Sequence, residues 1–376
     1  MLYLDHNATA PLSPAAREAW LDAQSRFPAN PASLHRVGQR AEVALEAARG
    51  ALAEALGTTP GSLFFTSGAT EAANTVFAHL ALTSPPMAEL WISAIEHPCV
   101  LAAAARSFPE RCRLLPVSAA GVLDLDILHD RLAVAKPVAL ALMAANNETG
   151  VLQPWRETLA LCRAASVQLV CDATQWLGRL PAEGLGSCDF LFASGHKCGA
   201  PVGVGFLKVP HAPTFQSLLV GGPQEDGHRA GTQNVAGALA MVAALADCTA
   251  RFGEIPAREA RRLGVEAVLL AALPGARILG VGVARLWNTV SLVAPALADC
   301  RQRWVVRLDA AGVAASSGSA CSSGRESASH VLKAMGVGAE VSDRVLRLSG
   351  GWETGEGEWE EVVAKMTEIW VRMAPK

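Results

Sequence analysis

The stretch LVCDATQ, residues 169–175, sets a carboxylate, Asp172, directly behind three apolar residues. That pattern reads as a buried strand ending in a charge, and a buried carboxylate is costly unless it meets a cation. The next apolar run, FLFASGHKCG, delivers a cation in the same way, with Lys197 just past its end. One reading is a plain Asp172–Lys197 ion pair. A second is chemical: a desolvated lysine can form a Schiff base with pyridoxal phosphate, and an aspartate can hold that cofactor's ring nitrogen protonated. A phosphate cradle is available in FFTSGATEAAN, which turns through Ser, Gly and Thr into a helix. Open N–H groups of a first helical turn, with the hydroxyls of Ser67 and Thr70, suit one phosphate. An ordinary helix cap is the plainer reading of the same residues. No Walker lysine follows, which argues against a nucleoside triphosphate. Gln175 and Asn147 could bond the ring oxygen, and His97, before Pro98, could lie over the ring or simply start a helix.

A different candidate stands near the C-terminus. Cys321 lies in AASSGSACSSGRESASH, residues 314–330, with no aliphatic side chain larger than alanine near it. The other eight cysteines sit mostly in apolar surroundings and read as small buried hydrophobes. None form C-x-x-C, and an odd count without a visible leader argues against a disulfide framework.

These residues need a scaffold. From about residue 12 to 248, helical and strand-like segments alternate, with near-continuous apolar strands. This predicts a mainly parallel sheet covered on both faces. Ligands of such sheets bind outside the carboxyl ends of the strands. Five successive strand ends are polar: Thr66–Thr70, Glu96–His97, Asn146–Glu148, Asp172–Gln175 and Ser194–Lys197. They predict one shared cleft. Beyond Cys248 the texture changes to a helix, isolated strands and a final helix, which predicts a smaller α+β domain built from residues 1–11 and 249–376.

At 376 residues the chain is long for a single core, and 51% apolar with 18% charged residues suits a well-buried globular protein. A net charge of −3 offers no case for nucleic acid or an anionic membrane. MLYLDHNATA has neither a basic n-region nor an apolar h-region, and runs such as VALALMAA stop short of a bilayer span, so a cytoplasmic protein is expected.

The order of several stretches carries more than any one of them. YLDHNATAPLSP, NPASLHRVGQRA, FTSGATEAAN, EHPCV, NNETGVLQP, DATQWLGRLP, SGHKCGAPVGVGFL, HRAGTQNV, SSGSAC and LRLSGG run nearly end to end. In this order the chain resembles the NifS/IscS-type cysteine desulfurases of the class V aminotransferase group, which are fold-type I pyridoxal-phosphate enzymes. The resemblance implies a large domain with a mainly parallel seven-stranded sheet, a smaller α+β domain and a homodimer. It implies that Lys197 holds pyridoxal 5'-phosphate, Asp172 pairs with its ring nitrogen, His97 stacks on the ring, and Gln175 and Asn147 meet its phenolic oxygen. Ala69, Thr70, Ser194 and His196 would bind the phosphate, with Thr232 completing that site from the neighbouring subunit. Arg347 would grip the carboxylate of L-cysteine. Cys321 would be the nucleophile of a mobile loop, taking sulfur as a persulfide while alanine leaves, then passing it to an acceptor or scaffold protein for iron–sulfur clusters or another thio-cofactor. A thiolate is required there, and nearby cations or His97 taking a proton would help form it.

Two departures stand out from the pattern this resemblance implies. In GGPQEDGHRAGT, Asp226 stands where an arginine is usual, and RESAS follows Cys321 where Leu-Glu-Pro is usual. The first bears on the cofactor site or subunit interface, the second on partner docking. A selenocysteine lyase or another β-lyase shares the scaffold, and a non-catalytic scaffold subunit is the reading from outside enzymes. Lys197, Asp172 and Cys321 are all present, which favours the desulfurase.

Overall fold

The computed structural model describes residues 1–210, 214–298, 303–317 and 329–374. The chain opens with β1 (Leu2–Tyr3), α1 (Pro14–Arg26) and α2 (Arg36–Leu56). His35 caps α2 at its start, and Gly57 ends it in the left-handed conformation that glycine adopts without penalty. Alternation follows: β2 (Leu63–Thr66), α3 (Ala69–Thr83), β3 (Leu90–Ser93), α4 (Pro98–Ser107), β4 (Cys112–Leu115) and α5 (Leu125–Val134). It continues through β5 (Ala139–Met143), α6 (Trp155–Ala165), β6 (Gln168–Asp172), β7 (Phe190–Ser194) and β8 (Gly205–Lys208). Then come α7 (Val235–Ala250), α8 (Ile255–Ala272), β9 (Arg277–Ile278), β10 (Thr289–Val293), α9 (Arg303–Ala310) and β11 (Val313–Ala314). The last elements are β12 (Ser316–Ser317), α10 (His330–Ala334), α11 (Ala339–Ser342), β13 (Val345–Ser349) and α12 (Glu356–Met373).

Strands β2 to β8 form one seven-stranded sheet in the order β2-β8-β7-β6-β5-β3-β4. Only β8 runs against the others. The predicted mainly parallel sheet is therefore present. Successive side chains point to opposite faces, so neighbours in one strand enter different cores. Phe65, Leu140, Leu142 and Leu191 pack with α2, α6 and α7 on one face. Phe64, Ala139, Ala141 and Phe190 pack with α3 and α4 on the other. A fully buried leucine of this kind contributes about 2 kcal/mol.

The expectation of five successive polar strand ends needs one correction. β4 comes between β3 and β5 in the chain but lies at the sheet edge, with Arg113 and Leu114 exposed, and contributes nothing to the cleft. A second correction concerns apolar length. Helices α7 and α8, joined by a short 3-10 turn, make a 38-residue stretch long and apolar enough to cross a membrane by length and composition. Half of its most apolar window is buried inside the protein. Its α7 part packs against α1 and α2, which explains the apolar character.

Strands β12, β13, β10 and β9 form an antiparallel four-stranded sheet, and β1 pairs with β11. Their core gathers Leu2, Leu4, Leu269, Val290, Leu292, Leu308, Leu348 and Val362. The N-terminal segment is stitched to this sheet by an isolated bridge between Asp5 and Ser349, and residues 6–9 then run out across the ends of β6 and β7.

Candidate active site

At the carboxyl ends of β6 and β7 lies a cavity of about 240 Å³. Ala69, Thr70, His97, Asn147, Asp172, Gln175, Ser194, His196, Lys197 and Arg347 all line it. One long-range feature of the sequence, polar residues placed just past apolar strands, thus becomes one place in space. Thr232 is exposed ahead of α7 and does not line the cavity of its own chain. Cys321 lies outside the described residues.

The phosphate end is built at the start of α3. Gly68 has φ +152, a conformation that side-chain-bearing residues rarely adopt, and a Cβ there would stand 3.0 Å from Ser194 Oγ. Glycine lets the turn press against β7, so that Ala69 N donates to Ser194 Oγ at 2.8 Å. Ser67, expected to add its hydroxyl, is exposed and outside the cavity lining. Its N–H donates to Glu71, whose carboxylate also pairs with Arg229.

Asp172 ends β6 and is buried. Its Oδ1 accepts from Thr174 N at 2.8 Å. Burial pushes its pKa up, while the Thr174 hydrogen bonds and the Lys197 charge pull the other way. Asp172 and Lys197 form no direct ion pair among the described residues; the Lys197 ammonium instead donates to the carbonyls of Asn7 (2.8 Å) and Ala8 (2.5 Å). His196 Nδ1 lies 3.0 Å from Thr9 Oγ1. The segment 7–9, quoted within YLDHNATA but given no role by sequence reasoning, therefore roofs the lysine.

Asn7 is the hub of that roof. Its side chain donates to Asn147 O and Thr289 Oγ1 and accepts from Asn288 Nδ2, while its carbonyl accepts from Lys197 and from Gln175 Nε2. Gln175 thus spends its donor on Asn7 and keeps a buried Oε1 without a partner. The amide cannot be turned end for end, because Oε1 would then meet the Asn7 carbonyl, acceptor against acceptor.

Arg347, in the middle of β13, is 1% exposed, far from the surface arginine that the sequence alone would suggest. Its guanidinium pairs with Asp5 at 2.7 Å and donates to Asn147 O at 2.9 Å, leaving Nε buried without a partner. Beside it, Glu148 is buried and accepts a hydrogen bond from Ser329, the cap of α10. Burial lifts the Glu148 pKa to about 7. His97 and His196 go the other way: burial first, then the Lys197 charge, lowers each to about 4.

One residue corrects the sequence reading. Cys99 is no core filler but lines the cavity, its sulfur 3.0 Å from His97 Nδ1. Asp226 is exposed on a left-handed turn (φ 54) and does not line the cavity of its own chain. Its neighbour Glu225 is buried against Arg49 at 2.6 Å.

Residues 2–352 match the model of the aminotransferase class-V family. The chain is 36% identical over 371 residues to a cysteine desulfurase of Klebsiella pneumoniae, covering 98% of this chain and 92% of that one. It is 38% identical over 360 residues to a cysteine desulfurase of Cereibacter sphaeroides, covering 94% and 92%. A NifS-like protein of known structure superposes with TM-score 0.89 at 28% identity, covering 99% of both chains. The structure of SspA in complex with cysteine superposes with TM-score 0.79 at 25% identity, covering 93% of this chain and 98% of that one. The chain belongs to the class-V aminotransferase family, among its NifS-like cysteine desulfurase members.

Proposed function

We propose that this protein is a cysteine desulfurase that removes sulfur from L-cysteine, releases L-alanine and holds the sulfur as a persulfide on Cys321. The observation that carries the reading is the convergence, in one cavity, of Lys197, the buried Asp172 carboxylate and the buried Arg347 guanidinium.

Pyridoxal 5'-phosphate fits the donor set. Lys197 and Asp172 face a common space, Gln175 Oε1 lacks a partner there, and the Gly68 turn opens the first turn of α3 toward it. Lys197, Asp172, Gln175, Asn147 and His97 would hold the ring. Ala69, Thr70, Ser194 and His196 would hold the phosphate, joined in a homodimer by Thr232 of the other protomer. When bound, the cofactor supplies an electron sink for charge developing at the substrate Cα. Arg347 orients the substrate carboxylate by a charge-assisted hydrogen bond. Lys197 takes the Cα proton at Nζ. Asp172 keeps a proton at the ring nitrogen. The Cys321 thiol forms an S–S bond to the substrate sulfur as the substrate C–S bond breaks. The carbon end takes up protons and leaves as alanine, so no outside oxidant or reductant enters.

The same reading makes the persulfide a sulfur source for an acceptor or scaffold protein, in the cytoplasm, for iron–sulfur clusters or another thio-cofactor. It also divides the chain into a cofactor domain, residues 12–248, and a smaller domain of residues 1–11 and 249–376. The separate apolar cores on the two sheets support that division.

The test gives purified protein free L-cysteine and a reductant and measures alanine and sulfide together. Equal yields from wild type, with Cys321→Ser near background, support the reading. No alanine from cofactor-loaded wild type overturns it, and full yields from Cys321→Ser overturn the role of Cys321.

A further inference from the structure

His97 caps α4, and its ring nitrogen Nδ1 accepts a hydrogen bond from the backbone N–H of Cys99 at 3.2 Å. A backbone amide can only donate, so Nδ1 presents a lone pair. The Cys99 sulfur lies 3.0 Å from that same nitrogen, and with Nδ1 an acceptor the thiol must donate its proton to it. The Thr70 hydroxyl reaches the sulfur from the first turn of α3. Thr70, Cys99 and His97 all line the cofactor cavity, so this chain of contacts runs from its phosphate end to the ring that covers it.

We propose that Cys99 is a positioning residue whose backbone amide and thiol together hold the His97 ring neutral with its proton on Nε2. The ring then offers the cavity a donor rather than a base. This consequence for catalysis rests on the cofactor reading above, whereas the tautomer itself does not.

The surroundings agree. Burial first, then the neighbouring Asp172 charge, raises the Cys99 pKa to about 12, so the thiol keeps the proton it donates. Burial first, then Lys197 and His330, lowers that of His97 to about 4, so the ring stays neutral. Among the described residues, the charged or titratable groups facing this pair are Lys197, Asp172, Glu96 and His330. A neutral ring with its proton on Nε2 has no lone pair there to accept the Cys321 proton. The expectation that His97 helps by taking that proton is replaced by a donor role.

The experiment is nitrogen-15 NMR of histidine-labelled, cofactor-loaded protein across pH 5–8, with His97→Gln assigning the signals. Wild type should show Nδ1 as the unprotonated nitrogen and Nε2 as the protonated one, without titrating above pH 5. Cys99→Ala, which keeps the backbone cap but loses the thiol donor, should leave Nδ1 unprotonated and raise the His97 midpoint by about one pH unit, bringing its upper limb into the measured range. Cys99→Ser, which restores a donor, should return the wild-type pattern. The proposal is overturned if wild type protonates Nδ1, if Cys99→Ala keeps the wild-type midpoint, or if Cys99→Ser behaves as Cys99→Ala. None of these readouts depends on turnover, so a failed desulfurase assay and a failed tautomer assignment are separable outcomes.

Discussion

The two walls of the cavity manage charge in opposite ways. On the seven-stranded side, the groups stand at strand ends and burial pushes each toward its neutral form: Asp172 upward, His97 and His196 downward to about 4. On the four-stranded side, Arg347 stands mid-strand, fully buried, with its charge held by Asp5. Ionisable groups displaced from their usual range and gathered in a cleft mark a place for chemistry. A charge fixed by a partner suits the gripping of another charge. The contrast assigns chemistry to one wall and binding to the other.

The strongest way to break that contrast is at Lys197. Lys197→Ala should lower alanine formation from L-cysteine by on the order of 10³–10⁴, acting on kcat. It should also abolish the borohydride-sensitive visible absorbance of cofactor-loaded protein. A Lys197→Ala protein with normal kcat would dissolve the distinction between the walls.

Arg347→Ala should act on the other parameter, raising KM for L-cysteine about 100-fold, the worth of roughly 3 kcal/mol in a charged hydrogen bond. Steady-state kinetics over a wide substrate range decides it. A kcat loss with unchanged KM would move Arg347 to the chemical wall.

Asp5→Ala sharpens the comparison from inside the pair. Removing the partner of a buried guanidinium should cost about 3 kcal/mol of stability. L-alanine, carrying the carboxylate that Arg347 is read to bind, should restore part of the lost melting temperature in a thermal shift assay. No rescue at saturating L-alanine would argue that Arg347 holds the fold alone.

The smallest effect is a pH dependence. The Glu148 pKa is raised to about 7 in the folded chain, so near pH 4.5–7 the unfolded chain releases a proton that the folded chain keeps. Its contribution is present below pH 4.5 and lost as pH rises through 7. The lowered histidines contribute oppositely, losing stability as pH falls from about 6.5 toward 4. Glu148→Gln should therefore remove one contribution that opposes the histidine trend, giving a melting temperature that climbs from pH 5 to 7.5 more than in wild type.

How much of this could be read beforehand depended on distance along the chain. Asp172, Lys197 and Gly68 announce themselves locally, because a polar or flexible residue next to an apolar strand has few other reasons to be there. Asn7 and Asp5 carry no such signal; their partners Lys197 and Arg347 are 190 and 342 residues away, and only tertiary folding selects them. Cys99 looked like any cysteine near apolar residues, since its meaning comes from the ring nitrogen two positions earlier. Thr232 and Asp226 lie outside the cavity of their own chain.

The Asp5–Arg347 pair has a further consequence, one of timing. Arg347 is made 342 residues after Asp5. At the usual pace of synthesis that is a wait of roughly 20–70 s. Until β13 emerges, the residues that roof Lys197 have no sheet to dock on, and the grip for a substrate carboxylate does not exist. A nascent chain therefore holds an unfinished cavity until β13 has been made.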